Sequence, residues 1–274
     1  MTQSTPSTLP ETQAKRKKRI RVNNRHDLAP QWENYRQYWK GWGVEHSADG
    51  PLNIYRSGLQ YSRLNGISHN HAHPREVIET ARERLAGVPW IWEVTEESHP
   101  ETRDALTAWG AQHYTSTVVM ELDLTRSSSY LPSAQLSGVS EWTPGGDHTE
   151  WVRGWASAMW LPEVQIERAA RIDEARGDDG GRIVRYAFTA DGEIRATTEL
   201  LLAGGVAGIY LVATQEAYGR RGMATALVSA ALLRAREEGM PLATLQASGD
   251  GEPVYRRMGF EPVSAVHAYS SPPV

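Results

Sequence analysis

The chain reads as a mixed α/β (α+β) protein in two halves, each a mostly antiparallel sheet flanked by helices. Three observations predict this. Segments with apolar residues every three or four positions interleave with short apolar or alternating runs. The pairs Asp191-Gly192 and Gly204-Gly205 join three successive apolar runs, as in an antiparallel meander. A Ser-, Pro- and Gly-containing stretch at 127–138 separates two segments of similar size and texture, which hints at a duplication. The 274 residues, 40% hydrophobic and 23% charged, supply enough chain for one large or two modest cores.

In chain order, residues 1–19 read as a basic tail. The first half, 20–126, opens with a helix at 31–42 and a strand at 52–62. A helix at 74–86 follows, stopped by Gly87, then a strand at 90–94. A helix at 101–109 closes at Gly110. A strand at 116–124 alternates Val118, Met120, Leu122 and Leu124. The second half, 139–274, begins with a helix at 147–160, with Asp147 as its N-cap and Trp151, Trp155 and Met159 at i, i+4, i+8. Another helix spans 162–176. Strands at 182–188, 193–203 and 206–213 form the meander. The helix at 221–238 is apolar at Ala224, Leu227, Val228, Ala231, Leu232 and Ala235 and stops at Gly239. A strand at 242–247, a short helix at 252–258 and a strand at 260–269 complete the chain.

Composition removes several function classes. There is no cysteine, hence no disulfide, thiolate metal site or cysteine nucleophile. The longest uncharged run, 200–215, is too short to span a bilayer and is broken by Gly204-Gly205. No apolar signal core follows the start, so the expected compartment is the cytoplasm. Residues 1–30 carry seven Lys/Arg against two acids, a net +5, in a chain whose net charge is −4. The acidic body argues against a nucleic-acid protein. The basic block at 15–21 is either a solvated arm or a contact for RNA or an acidic surface.

The chemistry concentrates at 209–226, IYLVATQEAYGRRGMATA, where a strand enters a Gly-Arg-Arg-Gly loop that opens a helix. Such a loop is an anion site: unpaired first-turn N–H groups and the helix dipole face the ligand, and Arg220 and Arg221 add cationic reach. It is neither GxxxxGK[ST] nor GxGxxG. With LATLQAS (242–248) and EPVYRRMGF (252–260), this tail resembles the GNAT superfamily of acyl-CoA-dependent N-acyltransferases. That family carries an Arg/Gln-x-x-Gly-x-Gly/Ala loop after its fourth strand and a Tyr-x-x-x-Gly-Phe signature downstream. Gly222 and Ala224 match the last two loop places. Gly219 stands where Arg or Gln is usual, a departure that weakens one phosphate or cap contact, with Arg220 and Arg221 as the candidate replacements. The resemblance covers 140–270. Residues 20–126 resemble, more loosely, the degenerate first half of tandem GNAT proteins and contain no glycine-basic loop.

The resemblance implies acetyl-CoA as co-substrate and no metal. The pantetheine arm would pair with the backbone of Leu211, Val212 and Ala213. The pyrophosphate would rest on Gly219, Arg220, Arg221, Gly222, Met223, Ala224 and Thr225. Val212 N–H is the expected oxyanion donor. Tyr255 is the acid for the departing thiolate, or else a core aromatic. Glu199 is the candidate base, or else an edge-facing solvated glutamate. The acceptor is expected to be a primary amine of a small metabolite, antibiotic or peptide N-terminus, with no membrane partner. The alternatives are a non-catalytic acyl-CoA sensor and an RNA- or ribosome-associated acetyltransferase. His69, His71 and His73 offer three imidazoles to a metal, or form an ordinary loop. The tryptophans at 90, 92, 151, 155 and 160 are core residues or line an acceptor groove.

Overall fold

The computed structural model describes residues 27–47, 50, 52–126, 138–143, 145, 148–177 and 180–272. The tail at 1–19, Asp147 and linker residues 127–137 lie outside the described residues. The strands are β1 (Glu45–Ser47), β2 (Leu52–Arg56), β3 (Asn65–Asn70), β4 (Ile91–Val94), β5 (Gln112–Asp123), β6 (Val139–Trp142), β7 (Arg182–Ala190), β8 (Glu193–Ala203), β9 (Val206–Thr214), β10 (Leu242–Ala247) and β11 (Glu261–Ser270). The helices are α1 (Ala29–Trp42), α2 (Pro74–Arg84), α3 (Thr102–Trp109), α4 (Thr149–Met159), α5 (Ile166–Ala175), α6 (Met223–Glu237) and α7 (Glu252–Arg257).

The strands form one mixed, mostly antiparallel sheet in the order β1-β2-β3-β4-β11-β5-β10-β9-β8-β7-β6. The parallel pairs are β3/β4 and β9/β10. The order is nearly palindromic about β11 and β5, and the chain repeats one unit on either side. In the first half that unit is β3-α2-β4-α3-β5; in the second it is β9-α6-β10-α7-β11. Each unit's last strand crosses to the other half: β5 pairs with β10, and β11 pairs with β4. The halves therefore share a continuous sheet.

One face is covered by α1, α4 and α5, whose Trp32, Trp42, Trp151, Trp155, Ile166 and Ala169 pack with Leu201, Tyr210, Ala213 and Val266 of the strands. α6 covers the opposite face over the second half, with Leu227, Val228, Ala231 and Leu232 against Leu200, Ile209 and Leu245. α2 and α3 do the same over the first half, with Val77, Ile78, Ala81 and Leu106 against Ile54, Ile67 and Trp92. Helices on both faces of a large sheet bury its interior strands completely, so β4 is buried at every position.

Several sequence expectations change. The run at 52–62 is strand only to Arg56. Beyond it the Asn65 amide donates to the carbonyls of Leu59, Tyr61 and Pro89 and accepts from Gly58 N–H, holding the chain in a compact loop. β3, NGISHN, carries one large aliphatic residue and escapes hydropathy reading. β5 starts at Gln112, and the helix expected at 162–176 begins as a 3-10 turn before α5. The meander β7-β8-β9 is antiparallel as expected. Its turn residues Asp191, Gly192, Gly204 and Gly205 all have positive φ, which suits the right-handed twist of hairpins.

Candidate active site

β9 and β10 are paired only at Ala207/Ala243, Gly208/Thr244 and Ile209/Leu245. From Tyr210 onward the two parallel strands part. At that point β9 carries a bulge: Tyr210 faces Glu199 and Ala213 faces Thr197, so Leu211 and Val212 together oppose Thr198. Leu211 sits at φ 45°, a left-handed conformation uncommon for a branched residue. Thr198 Oγ1 donates to Tyr210 O at 3.2 Å and Thr197 Oγ1 donates to Leu211 O at 3.0 Å, which anchors the bulge to β8.

The chain then passes a 3-10 turn, Glu216–Tyr218, and reaches α6. Gly222 is the N-cap at φ 82°, with no side-chain cap and no acid in the first turn. The first helical hydrogen bond is Ala226 N–H to Gly222 O at 3.0 Å, which leaves the N–H groups of Met223, Ala224 and Thr225 without helical partners. A Cβ at Gly222 would meet nothing within 4 Å, so its surroundings are open to a ligand. Arg220 and Arg221 are exposed, and Arg221 lies over the Tyr218 ring at 5.3 Å. The Met223 side chain is buried in the core, so only its backbone faces outward. Gly219 has an extended backbone and accepts no special conformation from being glycine.

Tyr255 on α7 is buried at 8% exposure and packs edge-to-face with Phe260. Burial pushes its phenol up to about 12, and the hydroxyl makes no hydrogen bond within the described residues. It is thus a protonated donor without a hydrogen-bond partner among the described residues.

Glu199 must be corrected. It is 1% exposed, not edge-facing. Oε1 accepts from Arg176 Nη1 at 3.1 Å and Arg185 Nε at 3.1 Å; Oε2 accepts from Arg176 Nη1 at 3.0 Å and Tyr38 Oη at 2.9 Å. Tyr38 stacks on Tyr210 at 3.7 Å and seals it. A carboxylate held by two arginines beneath this stack has no lone pair open to an amine. Asp173 belongs to the same cluster, bonded to Arg176, Arg185 and His148. Burial opposes its charge, but these three donors hold it down at about 2.

Sequence reasoning missed this cluster, because its members lie far apart in the chain. It also missed Glu93 on β4. That carboxyl is 4% exposed, burial raises it to about 8 against a hydrogen bond from Tyr35, and its Oε2 has no partner among the described residues.

The first half's counterpart of the glycine loop is the three residues between β3 and α2. Pro74 at the start of α2 has no N–H, and His73 Nδ1 accepts from Arg75 N–H, so the helix entrance is already capped. His69 Nε2 meets His71 Nδ1 at 3.0 Å while His73 Nε2 turns to Glu101. Among the described residues no group of three His, Asp or Glu is placed to hold a metal ion. Trp90, Trp92, Trp151 and Trp155 are buried; Trp160 is 74% exposed. Among the described residues no helix is long and apolar enough to cross a membrane.

A parted parallel strand pair, a bulge and an uncapped helix entrance thus meet at one end of the second half's sheet. Residues 182–263 match the family described as acetyltransferase (GNAT) domain. A GCN5-related N-acetyltransferase from Kribbella flavida superposes with a TM-score of 0.63 at 20% identity, over 90% of this chain and 96% of that one. A tandem GNAT protein from the clavulanic acid biosynthesis pathway gives 0.56 at 21% identity, over 81% and 79%. A GCN5-related N-acetyltransferase from Sphaerobacter thermophilus gives 0.57 at 17%, over 80% and 75%. No curated protein sequence matches the chain. Residues 182–263 thus match a GNAT acetyltransferase domain, and the fold over both halves is similar to that of these structures.

Proposed function

We propose that the chain transfers an acetyl group from acetyl-CoA directly to a primary amine of a small metabolite, antibiotic or peptide N-terminus, in the cytoplasm. The single observation that carries this reading is the parted β9/β10 pair leading past the Leu211 bulge into the uncapped entrance of α6. The first half is a pseudo-domain, because its corresponding helix entrance is capped and carries a proline.

Acetyl-CoA supplies the acyl group as a thioester. The backbone of Leu211, Val212 and Ala213 binds the pantetheine arm as an added strand. The N–H groups from Gly222 to Thr225, with Gly219, Arg220 and Arg221, bind the pyrophosphate. Val212 N–H stabilises the charge that develops on the thioester oxygen. Tyr255, protonated at neutral pH and without a hydrogen-bond partner among the described residues, gives its proton to the departing sulfur. Direct transfer follows from the absence of cysteine.

Glu199 is bonded to Arg176, Arg185 and Tyr38, so it is not given the role of base in this reading. A free α-amine, with a pKa near 8, costs roughly 1 kcal/mol to deprotonate at pH 7, whereas a lysine amine costs roughly 4–5 kcal/mol. Water suffices for the first. The reading therefore favours an α-amine.

The test is incubation with acetyl-CoA and a panel of amines and peptides, following free thiol and product mass together. Thiol release matched by an acetylated amine is expected. CoA binding without thiol release would replace the reading with a non-catalytic acyl-CoA sensor.

A further inference from the structure

The parted strand pair opens to both faces of the sheet, and the two faces carry different chemistry. β9 and β10 are last paired at Ile209/Leu245, so the next row sets Gln246 across the opening from Tyr210, directly before the bulge at Leu211 and Val212. Ala243, Leu245 and Ala247 pack into the cluster of α6, which also holds Tyr255. Side chains alternate along a strand, so Thr244 and Gln246 point to the face of α1, α4 and α5. Gly208, the partner of Thr244, agrees: a Cβ there would point at Asn34 of α1. Tyr210 packs on that face as well.

In the acetyl-transfer reading Tyr255 receives the departing sulfur on the α6 side. The amine then approaches from the α1 side. There the opening is bordered by apolar packing of Val119, Val266 and Leu211. The polar side chains beside it are bonded elsewhere, with one exception. Thr197 Oγ1 donates to Leu211 O at 3.0 Å, Tyr210 Oη donates to Asn34 Oδ1 at 2.8 Å, and Glu199 is held by Arg176, Arg185 and Tyr38. Thr244 is buried one row earlier, where the strands are still paired. Gln246 is partly buried, and its carboxamide makes no hydrogen bond among the described residues. Such an amide costs free energy unless water or a ligand completes it.

We propose that Gln246 binds the acceptor amine: its Oε1 accepts an amine N–H and aims the nitrogen lone pair at the thioester carbon held by the bulge. This rests on the acetyl-transfer reading and adds the group that orients the amine. A carboxamide accepts from the uncharged amine without carrying charge itself. A carboxylate in its place would favour the ammonium form, which has no lone pair to attack with. Gln246 moves no proton. The amine nitrogen bonds to the carbonyl carbon and the C–S bond breaks. The sulfur takes the Tyr255 proton, the new amide nitrogen loses its extra proton to water, and Tyr255 regains one from solvent.

The test is steady-state acetylation of glycinamide, alanyl-alanine and butylamine by the full chain, as wild type, Gln246→Leu and Gln246→Glu, beside calorimetry of CoA binding. Gln246→Leu removes the accepting oxygen. Its KM for the amine should rise roughly tenfold or more, with CoA affinity unchanged. Gln246→Glu keeps an oxygen in place and holds the bound amine protonated, so the rising limb of its kcat profile should move to higher pH. A side chain that only packs would move neither. An unchanged amine KM in Gln246→Leu overturns the proposal while leaving acetyl transfer intact. If Gln246→Leu also loses CoA affinity, the Gln246→Glu profile decides, and an unmoved limb overturns the proposal. A wild type that binds CoA but releases thiol with none of the three amines removes the acetyl-transfer reading, and the proposal falls with it.

Discussion

Tyr255 and Glu93 are two buried acids with opposite consequences. Tyr255 is raised to about 12, so it is a proton donor throughout the neutral range. Tyr255→Phe keeps the ring against Phe260 and removes the oxygen. Turnover should fall roughly 10²-fold with CoA affinity nearly unchanged, because the contact strengthens only as the C–S bond breaks. Stopped-flow or steady-state thiol release beside calorimetry of CoA binding checks both halves of that statement; equal turnover would return Tyr255 to the core. Glu93, raised to about 8 from the ordinary carboxylate range, is neutral in the folded protein at pH 7 but ionised when unfolded. A raised acid stabilises the fold fully below the unfolded pKa, and that contribution is lost as pH rises through the folded pKa. The loss falls between about pH 4.5 and 8 and is on the order of 4 kcal/mol. Glu93→Gln should therefore flatten the pH dependence of denaturant stability across this window, with its largest relative gain near pH 8. Parallel profiles for the two proteins would contradict it.

At the scale of elements, α1 of the first half is tied to β9 of the second. Asn34 is fully buried; its amide donates to the carbonyls of Leu201, Ala203 and Val206, and its Oδ1 accepts from Tyr210 Oη at 2.8 Å. A Cβ at Gly208 would lie 2.0 Å from Asn34 Oδ1, so glycine is required there by close approach. Asn34→Ala should cost about 2–4 kcal/mol through unpaired buried groups and should lower kcat, since Tyr210 directly precedes the bulge. A melt combined with kcat and the CoA dissociation constant would show it, and unchanged kcat would leave Asn34 a purely structural tie. The loop before α6 is the other decisive element. Gly222→Glu forces a side chain at φ 82° and sets a carboxylate where the helix entrance faces an anion, so CoA binding should fall below detection in a folded protein. Calorimetry showing wild-type affinity would refute the pyrophosphate assignment.

At the scale of the whole molecule, the exchanged strands bind the halves together. β5 separates β10 from β11, so a fragment of residues 139–274 would leave β11 without its neighbours β4 and β5 and β10 with an open edge. Such a fragment should aggregate or lack a cooperative thermal transition, and mixing it with residues 20–138 should restore one. A soluble fragment with a sharp melt would show that the exchange is dispensable.

Periodicity and turn chemistry made the helices and the β7-β8-β9 meander legible, because these depend on residues close in the chain. The Gly219–Gly222 loop and the motif around Tyr255 stand out in the sequence for the same reason: a glycine-rich helix entrance and a short motif are local patterns. β3 was not, since NGISHN becomes a buried strand only through its neighbours β2 and β4. The pairing of Glu199 was not legible, because Tyr38, Arg176 and Arg185 approach it from other elements, and a charge's partners across space leave no mark on its own sequence neighbourhood. By itself the sequence determined the main helices and the β7-β8-β9 meander, because local sterics and hydropathy period govern these. Only the tertiary structure decided that β5 and β11 change places, that Glu93 is neutral and Glu199 paired, and that Gln246 stands across the opening from Tyr210. Each of these depends on burial and on contacts between residues distant in the chain.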